Sequence, residues 1–392
     1  MKKNVLVILR NYPLGMNAGD KIRTLNMCMS LSSMGYNVFL LGFYTRNAHR
    51  IREEKRSLPK DVKALFFPTI PNRFKLLKLS EFLRALVTYF VCKIYSIDII
   101  QAEMSISATS ARFVSRLPLI TDFHADAVPE FEMMGYPQSI IEYTKKENVY
   151  SLTHSKKIIT VSDNLYRNLM EYVRTSAENF VLPTNINIDN FRKITPDTRS
   201  QMRKKYNLED RIVLCYSGGL HKWQCVEETI SLVVRLWKMN PNYFFCLYSN
   251  DDITPYEDLL MQINGHYLIK GVPNKEIASY LSMIDVGFVL RANDLVNINS
   301  SPTKTSEYLA AGAMVVATQY AGDSPKQIQE SGCGLVLNDL NPSDEQLVDI
   351  DAYIQKYYTS YKENSEKAKS YVTQNRLWTY NESLLKHIYQ EL

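Results

Sequence analysis

Residues 286–318 read VGFVLRANDLVNINSSPTKTSEYLAAGAMVVAT, and this stretch decides the fold. The apolar run ending at Leu290 has the length and β-branched character of a buried strand. A polar loop follows, and Ser300-Ser301-Pro302-Thr303 then opens a helix, with hydroxyl side chains before a proline as the start signal. The helical pattern stops near Gly312, and residues 313–317 (AMVVA) read as the next strand. Strand, loop, helix and strand in this order form a βαβ unit, which implies parallel strands.

The same alternation extends in both directions. Strands are predicted at 4–9, 37–43, 62–67, 98–102, 117–122 and 157–161, with helical segments such as 20–34 between them. The pattern then restarts, with strands at 180–182, 212–217, 244–249, 267–270, 286–290, 313–317 and 334–337. Helices are predicted near 224–238, 274–282, 303–311 and 324–330. Two successive sets in 392 residues imply an α/β chain of two doubly wound parallel-sheet domains facing a cleft. The boundary falls in 183–196, where Asn, Thr, Asp and Pro replace any apolar period. Residues 1–185 form the first domain and 195–374 the second; 375–392 read as an amphipathic helix. Ligands of open parallel sheets sit past the carboxyl ends of the strands, so the loops that follow strands are where chemistry belongs.

Composition narrows the field. With 26 Tyr, 15 Phe and 3 Trp the chain can fill large cores, which excludes general disorder. The six cysteines show no C-x-x-C spacing and read as reduced, buried thiols. Lys2 and Lys3 precede only a short apolar run, and no stretch of 18 uninterrupted apolar residues exists, so neither an export signal nor a spanning helix is expected. A cytoplasmic location follows. The net charge of +5 comes from the first half, above all residues 46–93. Within 73–95, Leu76, Leu79, Phe82, Leu83, Leu86 and Phe90 share one helical face among basic residues. That pattern suits peripheral contact with an anionic membrane and equally suits a core helix with a solvated edge. No Cys/His cluster, Walker sequence or nucleic-acid module is present, and Asp349-Ile350-Asp351 lies in a polar helical region, so neither metal nor nucleic acid is expected.

Three loops carry candidate chemistry. Ser300, Ser301 and Thr303 mark a helix start whose free N–H groups suit an anion, with Lys304 and Arg291 adding positive charge. Glu307, one turn on, suits hydroxyl groups. Phosphate at the helix start and a carboxylate beyond it describe a nucleoside diphosphate; a well-capped structural helix with Glu307 in solvent is the competing reading. His124 follows a strand end in LITDFHAD, flanked by Asp122 and Asp126, which can orient its imidazole. Gly15 and Gly19, with Asp20, follow the first strand and suit close backbone approach to a phosphate or acceptor, as does a plain turn.

The run S-P-T-K-x-x-E-Y-L-A-A-G-x-x-V-V-A-T resembles the donor-binding segment of GT-B glycosyltransferases, specifically family 4, the group 1 transferases. The resemblance continues in order through Tyr12-Pro13-Leu14-Gly15, Gly35-Tyr36-Asn37-Val38, Lys157-Ile158-Ile159-Thr160-Val161-Ser162, Leu182-Pro183-Thr184-Asn185 and Tyr216-Ser217-Gly218-Gly219. It implies a GT-B fold with Rossmann-like domains, the second for a nucleotide-diphosphate sugar as co-substrate and the first for the acceptor. It further implies a retaining, metal-independent transfer with no further cofactor, while the basic and apolar stretch 73–95 is what suits a glycan or lipid-linked acceptor in cell-surface polysaccharide or glycolipid assembly. By the same resemblance Glu307 binds ribose, His124 lies near the donor sugar, Gly218 and Gly219 adjoin the diphosphate, and the last helix returns to the first domain. Two departures stand out. Asn299 occupies the position of the family's first Glu, and Gly219 that of a common Arg, leaving Lys222 and Arg291 as substitute cations. A sugar-nucleotide epimerase or a non-catalytic sugar-nucleotide-binding protein are the alternatives.

Overall fold

The computed structural model describes residues 2–9, 19–44, 55, 58–70, 76–390 and 392. Two compact units make up the chain: unit 1 is Met1–Pro183 with Asn381–Leu392, and unit 2 is Thr184–Tyr380. The stretch 184–194 thus belongs to unit 2, and the helix Trp378–Gln390 is shared between the two.

Unit 1 holds seven strands: β1 (Asn4–Ile8), β2 (Asn37–Tyr44), β3 (Val62–Pro68), β4 (Ile99–Glu103), β5 (Leu119–Phe123), β6 (Lys157–Thr160) and β7 (Glu178–Val181). They lie in the order β3-β2-β1-β4-β5-β6-β7, and their pairings are parallel. Helices on the faces of a parallel sheet require apolar side chains on both sides of each central strand. Accordingly, every residue of β4 and β5 is buried, including Gln101, Glu103 and Asp122. The run 180–182 does not open the second set. It ends β7, paired with β6, and the Leu182 N–H donates to the Thr160 carbonyl, because an apolar segment before the linker gains more on the sheet edge than in solvent.

Unit 2 holds β8 (Ile212–Ser217), β9 (Tyr243–Tyr248), β10 (Tyr267–Lys270), β11 (Val286–Val289), β12 (Met314–Thr318) and β13 (Gly334–Leu337), ordered β10-β9-β8-β11-β12-β13 and again parallel. Each predicted strand lies within about two residues of an observed one. All six cysteines are free and buried. No helix among the described residues is long and apolar enough to cross a membrane.

Strand order reverses between β1 and β4 in unit 1 and between β8 and β11 in unit 2. At such a point adjacent loops leave in opposite directions and open a crevice. The loops after β4, β8 and β11 are therefore the places to look. The loop after β1, including Gly15, lies outside the described residues, and Gly19 and Asp20 enter only as the first backbone positions of the helix Gly19–Ser33.

Candidate functional site

In unit 2 the helix Thr303–Ala311 presses on the sheet at the switch point. Gly287 on β11 makes this approach possible, since a Cβ there would collide with the Tyr308 ring. The Tyr308 hydroxyl in turn accepts the Ser217 N–H at 2.8 Å, tying the helix to the end of β8. Gly218 follows with φ +139, and a Cβ on it would stand 2.6 Å from Lys304 Nζ. Only glycine accepts that backbone and leaves room for the lysine.

Lys304 Nζ donates to Gln224 Oε1 at 2.6 Å and to the Tyr216 hydroxyl at 3.2 Å. Arg291 is buried and donates to the Leu290 carbonyl at 2.6 Å, the Gln224 carbonyl at 3.1 Å and Gln224 Oε1 at 2.6 Å. Desolvation, reinforced by Arg291, pushes the Lys304 ammonium well below the usual lysine range. Desolvation also raises the Glu307 carboxyl, against the pull of Lys304. Glu307 and Thr303 stand one turn apart on one helical face, and neither side chain hydrogen-bonds to a described residue. Two cations on a neutral amide, a carboxylate with open acceptor positions and a helix start together can bind an anion joined to a diol.

Several expectations need correction. The helix starts at Thr303, with Pro302 at its cap and no capping side chain, so Ser300 and Ser301 do not cap it. Ser300 Oγ donates to the Asn297 carbonyl at 2.7 Å, while Ser301 Oγ accepts the Thr184 N–H and donates to Asp323, both at 3.0 Å. These serines brace the loop. Asn299 is buried at the end of the short helix Leu295–Ile298. Lys222 is exposed in the turn Lys222–Gln224 and does not join the Lys304–Arg291 pair. Gly219 offers its carbonyl to the Tyr216 hydroxyl at 2.5 Å, and Asp251 accepts the Leu220 N–H at 2.7 Å. Sequence reasoning missed Gln224, because a glutamine in a polar turn carries no spacing signal.

In unit 1 His124 Nε2 lies 2.8 Å from Glu103 Oε2 and 3.5 Å from Asp122 Oδ2. Arg23 clasps Asp122 through two bonds of 3.0 and 3.1 Å. Glu103 also accepts from Gln101 at 2.7 Å and Thr24 at 3.1 Å, and Gln101 accepts from the Tyr389 hydroxyl. Desolvation opposes charge on His124, but Asp122 and Glu103 outweigh it and raise the imidazole to about 9. Burial likewise opposes ionisation of Asp122, yet Arg23 and His124 hold it below the ordinary carboxylate range. His124 Nδ1 is buried without a hydrogen-bond partner among the described residues.

Asp126 does not orient His124. It caps the helix Ala127–Met133 and accepts from Val128 N, Asn148, Asn168 and the Tyr172 hydroxyl, at 2.6 to 3.0 Å, which uses up its acceptor positions. Glu103 takes the role assigned to it. The sequence held a signal: a carboxylate ending the otherwise uncharged strand IIQAE has to meet a partner there. Glu103, Asp122 and His124 each offer a ligand atom within 4.8 Å of the others, the geometry of a metal-binding trio. The Arg23 guanidinium already occupies Asp122, and a cation would have to compete with it and with the His124 proton. Asp351 of the D-x-D sequence accepts the Tyr243 hydroxyl at 2.5 Å within unit 2.

No family model matches the chain, and no curated protein matches it by sequence. Solved structures do. Sucrose-phosphate synthase from Thermosynechococcus elongatus is similar with a TM-score of 0.78 at 14% identity, over 100% of this chain and 99% of that chain. A glycosyltransferase from Rickettsia africae gives 0.74 at 17% identity, over 100% and 98%. HepE from Anabaena, solved with UDP and glucose, gives 0.74 at 15% identity over the whole of both chains. At these identities the likeness is one of architecture. The chain has the GT-B fold, with two parallel-sheet α/β units in a single polypeptide.

Proposed function

We propose that this chain is a glycosyltransferase that moves a sugar from a nucleoside-diphosphate sugar to an acceptor hydroxyl, with unit 2 binding the donor and unit 1 the acceptor. The observation that carries the reading is Glu307, a carboxylate with no hydrogen bond to any described residue, one turn beyond Thr303 on the helix that also bears Lys304. Ribose hydroxyls satisfy that carboxylate. The diphosphate takes the helix start, the Gly218-Gly219 backbone and the charge of Lys304 and Arg291. As the glycosidic bond breaks, negative charge grows on the leaving diphosphate, and fixed cations stabilise it without reorganising. That supports a transfer that needs no metal, and retention of the anomeric configuration is proposed on the resemblance to family 4 alone. HepE was solved with UDP and glucose, so UDP-glucose is the first donor to try.

In unit 1 the protonated His124, held by Glu103 and Asp122, offers a charged donor to a sugar hydroxyl. A glycan or lipid-linked acceptor in surface polysaccharide or glycolipid assembly fits the basic first half. The helix Leu77–Ile94 exposes Leu79, Phe82, Phe90 and Ile94 beside Lys78 and Lys93, which suits a peripheral seat on the inner face of a membrane. The test is release of nucleoside diphosphate from UDP-, GDP-, ADP- and CDP-sugars, with and without acceptor and chelator. Acceptor-dependent release that survives chelation supports the proposal. Sugar isomerisation without acceptor, or binding without turnover for every donor, contradicts it.

A further inference from the structure

A cavity of about 190 Å³ opens in unit 1 beside the His124 cluster. Met104, Ile106, Phe131, Tyr136, Ile140 and Leu77 form its apolar walls. Phe131 and Tyr136 stack at 4.6 Å with 17° between their planes, making one wall stiff. Met104 joins the cavity to the cluster. It follows Glu103 directly, its Sδ accepts the His124 N–H at 3.2 Å, and it holds φ +70, a conformation a non-glycine residue adopts only under constraint. The cavity therefore lies past the carboxyl ends of β4 and β5, beside the reversal of strand order.

Four lining residues are polar, Ser105, Tyr143, Thr144 and Glu147, and the Glu147 carboxylate interacts with the Arg84 guanidinium. The Tyr143 hydroxyl is committed to Glu81, which also pairs with Arg112. Seven of the eleven lining residues are apolar, a wall that matches an apolar group better than a pyranose, each of whose hydroxyls needs a partner when buried. Tyr136 and Met134 are exposed at 40% and 51%, so an apolar substituent has an aromatic entrance rather than a sealed core.

Resting on the transferase reading above, we propose that this cavity binds the apolar aglycone of the acceptor, an alkyl or aryl group attached to the sugar that is extended. The class of acceptor is then an amphipathic glycoside rather than a free sugar.

Binding of methyl, octyl and 4-nitrophenyl β-glucoside to the full chain, by calorimetry below micelle-forming concentrations, tests this without requiring turnover. The octyl or the nitrophenyl glucoside should bind at least about tenfold tighter than the methyl glucoside, and the stronger of the two identifies an alkyl or an aryl occupant. Ile140→Trp, which fills the cavity, should remove that preference while UDP-glucose binding is unchanged. Ile106→Trp serves the same purpose if Ile140→Trp melts early. Equal affinity for all three glucosides, or a preference that survives both variants, overturns the proposal. Aglycone preference with no binding of any nucleotide sugar supports the cavity and removes the donor reading.

Discussion

Lys304 and Arg291 share one neutral acceptor: Lys304 Nζ and Arg291 Nη2 each lie 2.6 Å from Gln224 Oε1. Neutral acceptors alone, this amide oxygen with the Tyr216 hydroxyl and the Leu290 and Gln224 carbonyls, are weak compensation for two desolvated cations. Both groups are pushed below their ordinary ranges by burial, and a diphosphate would relieve both at once.

Gln224→Glu supplies the missing negative charge from within. The variant should melt no lower than the parent, because the buried Arg291 and half-buried Lys304 gain a counter-charge. UDP affinity should fall at least about tenfold, since a charged hydrogen bond of about 1.5–3 kcal/mol now competes with the ligand. Calorimetric titration with UDP and a thermal melt check both halves; tighter UDP binding would contradict the account.

Lys304→Met separates function from stability. Loss of a half-buried ammonium resting on an amide should leave the melting temperature unchanged or raised, while UDP affinity drops at least about tenfold. In the parent, affinity should weaken with rising pH before the ordinary lysine range is reached, because Lys304 sheds its proton early. A flat pH profile in the parent would count against this assignment.

Gly287→Ala tests the seating of the helix that bears Glu307. A methyl group there meets the Tyr308 ring, and overpacking of this kind costs about 1–3 kcal/mol. Tyr308→Phe should cost about 1–2 kcal/mol by orphaning the Ser217 N–H. Urea titrations give both values; stability unchanged in either variant would mean that the helix is seated by other contacts.

The His124 cluster sets a pH dependence with a defined sign. Its folded-state value of about 9 lies above the ordinary 6.5, so its contribution to stability is complete below pH 6.5 and is lost as pH rises through 9. Asp122 shifts the other way, and its share is lost only in strong acid. The melting temperature should therefore fall by a few degrees between pH 6.5 and 9.5, and His124→Gln should flatten that slope. An unchanged slope in His124→Gln would place the titration elsewhere.

The strands were legible because buried parallel strands are short, continuous apolar runs, as in NVLVI and VGFV. The helix that bears Lys304 and Glu307 was legible because a helix start is written locally. Gln224, Glu103 and Arg23 were not, since each acts through a partner 67 to 99 positions distant, or 21 in the case of Glu103 and His124, and spacing says nothing of that closure. Asp126 looked catalytic beside His124, yet a residue two positions along a turn points to its own helix start. Ser300 and Ser301 looked like caps, but Asn297, Thr184 and Asp323 claim them.

The proposed pairing of Glu307 with ribose is probed most directly by comparing UDP with 2′,3′-dideoxy-UDP on the parent and on Glu307→Ala. The parent should prefer UDP by at least about tenfold, and Glu307→Ala should bind the two equally, at the weaker affinity. A preference for UDP that persists in Glu307→Ala would contradict the assignment of this carboxylate, and with it the donor site.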